Sequence, residues 1–193
     1  MPPLTAENQR IRAQNVSASE VGALLGDHPY STPGTIWDRL NGAPGPVEND
    51  AMRNGTELEP AIARLAEKRL GLRLRACTKT YEHPKVQLCA TPDYYVLGGT
   101  PPGLVEIKLS GSREMWSRDD PPEHVEWQAR AQMACTGRGT VAICVLVGSG
   151  LRTYIIERDA QKERAMTEAV DRFWTLYMVT GTRPDDVPRP IRY

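Results

Sequence analysis

Hydrophobic and polar positions along the chain fall into three stretches with different periods. From about residue 16 to residue 71 the apolar residues recur at helical spacing, interrupted by proline and glycine. Ser17-Ala18-Ser19-Glu20 has the form of a capping box, with Ser17 as N-cap and Glu20 three residues on. The apolar run behind it predicts a short helix that stops at Gly26. His28-Pro29 breaks the chain, and Thr32-Pro33 opens a second helix through Ile36, Trp37 and Leu40 that ends at Gly42. Residues 43–50 are loop, and a longer helix then runs to about Gly71 with Leu58, Ile62, Leu65 and Leu70 on one side.

The middle of the chain changes period. Segments 72–76, 86–91 and 103–109 are short, rich in branched residues and mostly bounded by Pro, Gly or Asp, which predicts strands. Asp120-Pro121-Pro122 starts a helix through Gln132 that stops at Gly137. Strands 140–148 and 151–157 follow, joined as a hairpin through Ser149-Gly150. Asp159 caps a last helix with Met166, Val170, Phe173, Trp174 and Tyr177 on one face, and residues 182–193, with three prolines, read as an extended tail. Helices, mixed strands, helix, hairpin and helix make one α/β domain, 1–193, around a central mixed sheet flanked by helices.

Composition narrows the class only a little. With 193 residues, 40% hydrophobic and 25% charged, the chain suits one well-buried core. No apolar run approaches the roughly 18 residues that span a bilayer. The first residues lack the apolar block of a signal peptide, so a cytoplasmic protein without membrane contact is expected. Lys and Arg total 24 and Asp and Glu total 24, so a broadly basic nucleic-acid surface is not expected, although local phosphate contacts remain open. Cys77, Cys89, Cys135 and Cys144 are scattered without a CxxC pair and read as buried free thiols. His28, His83 and His124 have no zinc spacing, and neither a G-x-S-x-G elbow nor a Walker loop occurs. Trp116 stands in a polar, loop-like stretch with Arg113 and Arg118, where contact with DNA or another subunit is conceivable; the other tryptophans read as core or interface.

The chemistry concentrates in Gly103-Leu104-Val105-Glu106-Ile107-Lys108-Leu109. On a strand, Val105, Ile107 and Leu109 point into a core while Glu106 and Lys108 share the other face, roughly 7 Å apart. Such a pair is either a surface salt bridge on a half-exposed strand or a site that uses both charges. Asp93, in Thr91-Pro92-Asp93 just after an apolar strand segment, can fall beside Glu106 at the sheet rim, because neighbouring strands lie about 4.8 Å apart. Taken alone it is a turn-former. Two carboxylates so close repel unless a divalent cation lies between them, and hard oxygen ligands suit magnesium. Glu59 lies on the line 59-62-63-66 with Ile62, Ala63 and Ala66 and looks inward; it wants a partner, or else it is an N-terminal helix acid with Pro60 as first helical residue. Gln128 and Gln132 share a face with Val125, Ala129 and Met133, as amphipathic filler or, for Gln128, as a hand on a water or phosphate near a metal. Ser19, in the first turn of a helix, and Arg12 before it are a solvated pair or an anion site.

Pro92-Asp93, twelve intervening residues and then Glu106-Ile107-Lys108 match the PD-(D/E)xK nuclease signature residue for residue. Gly55-Thr56-Glu57-Leu58-Glu59 fits a G-x-x-x-E helix. Arg12 seven residues before Ser19, Leu25-Gly26 through Pro29-Tyr30 to Thr32-Pro33, Gln128 with Gln132-Met133, and Tyr154 through Asp159 follow in order. Together, from about residue 12 to 177, they resemble the lambda-type, YqaJ-like phage recombination exonucleases of the PD-(D/E)xK superfamily.

The resemblance implies a restriction-endonuclease-like core at 49–181, an N-terminal 5′-phosphate-binding segment at 1–48 that uses Arg12 and Ser19, and a tail at 182–193. It implies 5′-to-3′ digestion of one strand of double-stranded DNA from its ends, leaving 3′ overhangs for homologous recombination. Two Mg2+ ions, or Mn2+ in their place, would be held by Asp93, Glu106, the Ile107 carbonyl and Glu59, with Lys108 orienting or activating water and Gln128 assisting. A homotrimer threading DNA, a single-strand annealing recombinase as partner and a phage or prophage protein in the host cytoplasm are further implications. The alternatives are a Cas4-like iron–sulfur or endonucleolytic member of the superfamily and a non-catalytic DNA-end-binding module.

Overall fold

The computed structural model describes residues 5–45, 47–98 and 103–186. Residues 187–193 of the expected tail lie outside them; residues 182–186 carry no helix or strand. Arg183 pairs with Asp38 and Asp186, and Asp186 accepts from the Thr32 hydroxyl, so this stretch is tied to the second predicted helix.

Helix boundaries follow their caps. Thr5 accepts from the Asn8 amide and starts α1, Ala6–Ala13. Thr32 and Thr35 cap each other reciprocally at α3, Pro33–Leu40, with Pro33 in the first turn where its missing N–H costs nothing. Asn49 caps α4, Asp50–Leu70, and left-handed Gly71 ends it. Helix α5, Glu123–Thr136, ends at left-handed Gly137, and Asp159 caps α6, Ala160–Phe173, which continues as a π-helical turn, Trp174–Met178.

A five-stranded sheet holds the middle of the fold. Strands β2 (Arg73–Ala76), β5 (Tyr94–Leu97), β6 (Gly103–Ser110), β7 (Thr140–Val147) and β8 (Gly150–Glu157) lie in the order β2-β5-β6-β7-β8. Only β6 and β7 are parallel, joined by the α5 crossover, and the other neighbours are antiparallel. A smaller sheet, β1-β4-β3, is built from β1 (Val16–Ser17), β3 (Tyr81–Glu82) and β4 (Leu88–Ala90). Helices cover both faces of the large sheet. Ile62, Ala63 and Ala66 of α4 pack on Val105, Ile107, Ala142 and Cys144, while Val125, Ala129 and Met133 of α5 pack on Leu104, Val141, Ile143 and Val145. This is the expected α/β arrangement with a mixed central sheet.

Four local expectations are corrected. Leu58 and Leu65 are exposed, because the buried line of α4 runs through Glu59, Ile62, Ala63 and Ala66. The hairpin turns at Gly148-Ser149, with Gly148 at φ 59° and Val147 opposite Gly150, so Gly150 belongs to β8. Ser17 is a strand residue: Glu20 accepts from its amide, as in a capping box, but its hydroxyl does not cap the short helix α2, Val21–Leu24. Trp116 is buried against Tyr154, and its carbonyl accepts from Arg152, so it belongs to the core and is not available to DNA or a second subunit.

Candidate active site

Both faces of β6 are covered, which removes the surface-salt-bridge reading of its charged pair. Glu106 is 2% exposed, and Lys108 Nζ lies 2.6 Å from its Oε1. The strand alternation places both on the α5 face. There Gln128 Nε2 donates to Glu106 Oε1 at 2.6 Å, and Gln132 Nε2 donates to Oε2 at 2.5 Å. Gln128 turns its own carbonyl to Lys108 Nζ at 3.0 Å. Residues 128 and 132 are one helical turn apart, so α5 presents two amides to one carboxylate.

Asp93 arrives in the plane of the sheet. Its backbone carbonyl takes the Cys77 amide, which extends the β2–β5 ladder by one residue and fixes Pro92-Asp93 at the head of β5. Among the described residues, strand β5 pairs with β6 at Tyr94–Val105 and Tyr95–Leu104. Beyond that point Asp93 Oδ2 accepts from the Ile107 amide at 2.8 Å. The amide and carbonyl of one strand residue point to the same edge, so the Ile107 carbonyl also faces this opened side. Glu59 comes from the third direction, on the α4 face, and accepts from the Tyr94 hydroxyl. Pro60 lies inside α4 rather than at its start, so the helix-start reading of Glu59 fails.

These charges feel one another. Burial, then the Glu106 charge, pushes the Asp93 carboxyl well above its usual range, against the pull of Lys108 and the Ile107 amide. Burial alone would lower Lys108, but Glu106, Asp93 and Glu59 outweigh it and hold the ammonium on. Burial and the Glu59 charge push the Tyr94 hydroxyl up to about 12. With Glu59, Asp93 and Glu106 ionised, three negative charges face the one positive charge of Lys108, an excess of two in a buried cluster. That imbalance and the all-oxygen donor set fit a divalent cation. As the side chains stand, no three His, Cys, Asp or Glu among the described residues group to hold an ion by themselves; the carboxylates of Asp93 and Glu106 would act with the Ile107 carbonyl. The four thiols are free, buried and not grouped as a cluster ligand set.

Next to Glu106 lies a small polar pocket of about 30 Å³, lined by Arg12, Ser17, Ala18, Ser19, Cys89, Thr91, Gln128 and Gln132. Arg39 shapes its rim by donating to the Arg12 and Asn15 carbonyls while gripping Glu20 through two 2.7 Å bonds. His28 holds the Ser19 carbonyl and accepts from the Tyr30 amide. Ser19 precedes α2 and is not in its first turn; with four residues, α2 offers little dipole, so any anion here would rest on side chains.

The family model of the YqaJ-like viral recombinase domain matches residues 7–139. The chain belongs to that family. The YqaJ-like chain also resembles an alkaline exonuclease (LHK-Exo) from Laribacter hongkongensis, at 25% identity over 91% of this chain and 94% of that one, with TM-score 0.74. The same exonuclease in complex with dAMP matches at 24% identity, 91% and 94% coverage and TM-score 0.76. A phage-related exonuclease from Haemophilus somnus 129PT shares the fold at 15% identity, 87% and 96% coverage and TM-score 0.63. Among proteins with curated descriptions, none is significantly similar to the chain.

Every expected site residue of this YqaJ-like chain, from Arg12 to Gln128, lies within the matched stretch. Glu59, Asp93, Ile107, Glu106, Lys108 and Gln128 come together at the edge of β6, and Arg12 and Ser19 line the neighbouring pocket. Sequence reasoning missed Tyr94, the partner of Glu59, because β5 was not foreseen and Tyr94 had no face. It took Gln132 for structural filler, although its one-turn spacing from Gln128 was a legible sign that both serve one target.

Proposed function

We propose that the protein is a divalent-metal-dependent DNA exonuclease that digests one strand of a duplex from its 5′ end and leaves 3′ single-stranded overhangs for phage-type recombination. The observation that carries this reading is the meeting of Asp93, Glu106, Lys108 and Glu59 at the open edge of β6, with a polar pocket sharing the Gln128–Gln132 wall. Its match to the recombinase family and its likeness to the Laribacter exonuclease support the same reading. The whole chain then acts as one nuclease unit, with residues 1–48 as the end-binding segment, 49–181 as the catalytic core and 182–193 as a tail.

Asp93, Glu106 and the Ile107 carbonyl would hold one Mg2+, and Glu59 with Asp93 would help hold a second. When bound, such a pair polarises the scissile phosphate and lowers the pKa of water. Gln128 and Gln132 fix the Glu106 carboxylate, so a ligand oxygen does not have to be ordered at the moment of reaction. Lys108 is held protonated, which suits it to orient the attacking water as a donor and to offset negative charge growing on the phosphate oxygens. Arg12 and Ser19 would take the terminal 5′-phosphate, Arg12 as the charged fork. Seating that phosphate sets the first phosphodiester against Lys108 and makes the enzyme count from an end.

The decisive assay uses linear duplex with a 5′-phosphate or 5′-hydroxyl, with Mg2+, Mn2+ or chelator. Rapid loss of the phosphorylated strand with metal, none with chelator, and intact closed circles are expected. Nicking of closed circles would make the enzyme an endonuclease, and DNA-end binding with no metal-dependent product would make it a binding module. The reading also includes a homotrimer in the host cytoplasm and an annealing recombinase as partner; sedimentation of the purified protein tests the first.

A further inference from the structure

Ser17 Oγ and Gln132 Oε1 are the two buried side-chain polar atoms that lack a hydrogen-bond partner among the described residues. Both residues line the same small pocket beside Arg12 and Ser19. The neighbour of Ser17 Oγ is the Cys89 thiol, a weak partner. A buried acceptor such as Gln132 Oε1 stays costly until a donor reaches it. Gln132 has no freedom to turn its amide round: Nε2 must face the Glu106 carboxylate, 2.5 Å away, so Oε1 is left to the other side. Its side chain is fully buried, so that donor must come through the pocket. The volume of about 30 Å³ exceeds the roughly 10–15 Å³ that one water requires.

We propose that Gln132 is a positioning residue that makes the rate of cleavage depend on the group carried by the DNA end. The proposal rests on the end-pocket reading above and deepens it. One water accepts from the Ser17 hydroxyl, donates one hydrogen to Gln132 Oε1 and donates the other to a phosphate oxygen seated on Arg12 and Ser19. All its hydrogens and Gln132's open acceptor are then used. The phosphate dianion orders the water, the water holds the amide, and the amide holds Glu106 where the reaction needs it. A 5′-hydroxyl end lacks the charge that orders this chain, so Glu106 is less firmly aimed. The phosphate thus contributes to turnover as well as to binding.

The test is a split of kcat from KM for 5′-phosphate and 5′-hydroxyl duplexes, with the wild type and Gln132→Met, which keeps the side-chain volume. Wild-type kcat at saturating DNA is expected to favour the phosphate on the order of tenfold, the effect of one charge-assisted hydrogen bond. In Gln132→Met the kcat ratio falls toward one, while the KM preference, which Arg12 and Ser19 supply, survives. Ser17→Ala, which leaves the Glu106 contacts in place, lowers the same kcat ratio and serves if Gln132→Met fails to fold. Equal loss of kcat on both ends in both variants, with the ratio kept, would overturn the proposal and leave the end pocket standing. A wild type that treats both ends alike in kcat and KM would overturn the pocket reading as well.

Discussion

Lys108 and Asp93 pull the same cluster in opposite directions, and each can be removed without changing side-chain volume much. Lys108→Met keeps the stem and deletes the ammonium. Glu106, almost fully buried, is then left with two glutamine donors and no counter-charge. Losing a partner from a fully buried pair costs more, but the Lys108 side chain is 29% exposed. A loss of about 1–3 kcal/mol, the cost of a buried group left short of a partner, is expected in chelator, recovered in part by Mg2+, whose stabilising shift should be larger in the variant because no ammonium competes for Glu106. Cleavage should drop on the order of 10²–10³-fold if Lys108 supplies a transition-state donor; normal digestion rates would remove it from the mechanism. Asp93→Asn has the opposite sign. Burial and Glu106 disfavour ionised Asp93, whereas Asn keeps an oxygen for the Ile107 amide. In chelator its melting temperature should rise, while Mg2+ stabilises it less than wild type and cleavage is lost. A lower melting temperature in chelator would show that the negative charge is not the costly feature.

At the level of elements, what was legible depended on whether a residue type declared its own surroundings. Caps and stops were legible: Thr32-Pro33, Asp159, Gly71 and Gly137 mark real helix ends because their chemistry acts within one turn. The carboxylate and amine of β6 were legible because a period of two assigns faces without tertiary knowledge. The α4 stripe was misread, since its inward face carries Glu59 and two alanines while two leucines face outward. Small residues allow α4 to approach β6 closely, and hydrophobicity alone cannot show that. Strands β1, β3 and β5 have two, two and four residues and exist through pairing with distant segments, which no local pattern encodes. Hence the placement of Asp93 was inferred for the right rim but without β5. The stripe can be tested by thermal denaturation. Ile62→Ala, at 1% exposure, should cost about 2–5 kcal/mol, whereas Leu58→Gln and Leu65→Gln should each stay within about 0.5 kcal/mol of a monomeric wild type. A large loss on either leucine at concentrations where an oligomer forms would instead mark that face as an interface.

For the molecule as a whole, the joint that matters connects the N-terminal segment to α5, because it sets the proposed end pocket against the residues proposed to hold metal. Gly22 makes this joint close: a Cβ there would lie 3.2 Å from the His124 backbone. His28, which brackets Ser19, meets His124 edge-on at 5.2 Å between ring centroids. Burial, then His28 and Lys108, lowers His124 from 6.5 to about 4, and burial lowers His28 in the same direction. The folded joint therefore holds neutral imidazoles while the unfolded chain takes up protons. For a base whose folded pKa is depressed, the unfolded state binds more protons between the two values, so stability is full above about pH 6.5 and is lost as pH falls toward about 4. Asp93 acts oppositely, since a carboxyl raised by burial gains stability as it protonates. The difference between wild type and His124→Gln isolates the histidine: the wild-type melting temperature should fall more steeply with acid through that window, and the variant's curve should be flatter. Parallel curves would mean that His124 binds its proton as readily in the folded chain as in the unfolded one. Near pH 4, where the folded chain takes up the His124 proton, the new charge faces Lys108 across the joint between the proposed end pocket and the proposed metal site, so the preference for a 5′-phosphate should fall there in the wild type and less in His124→Gln.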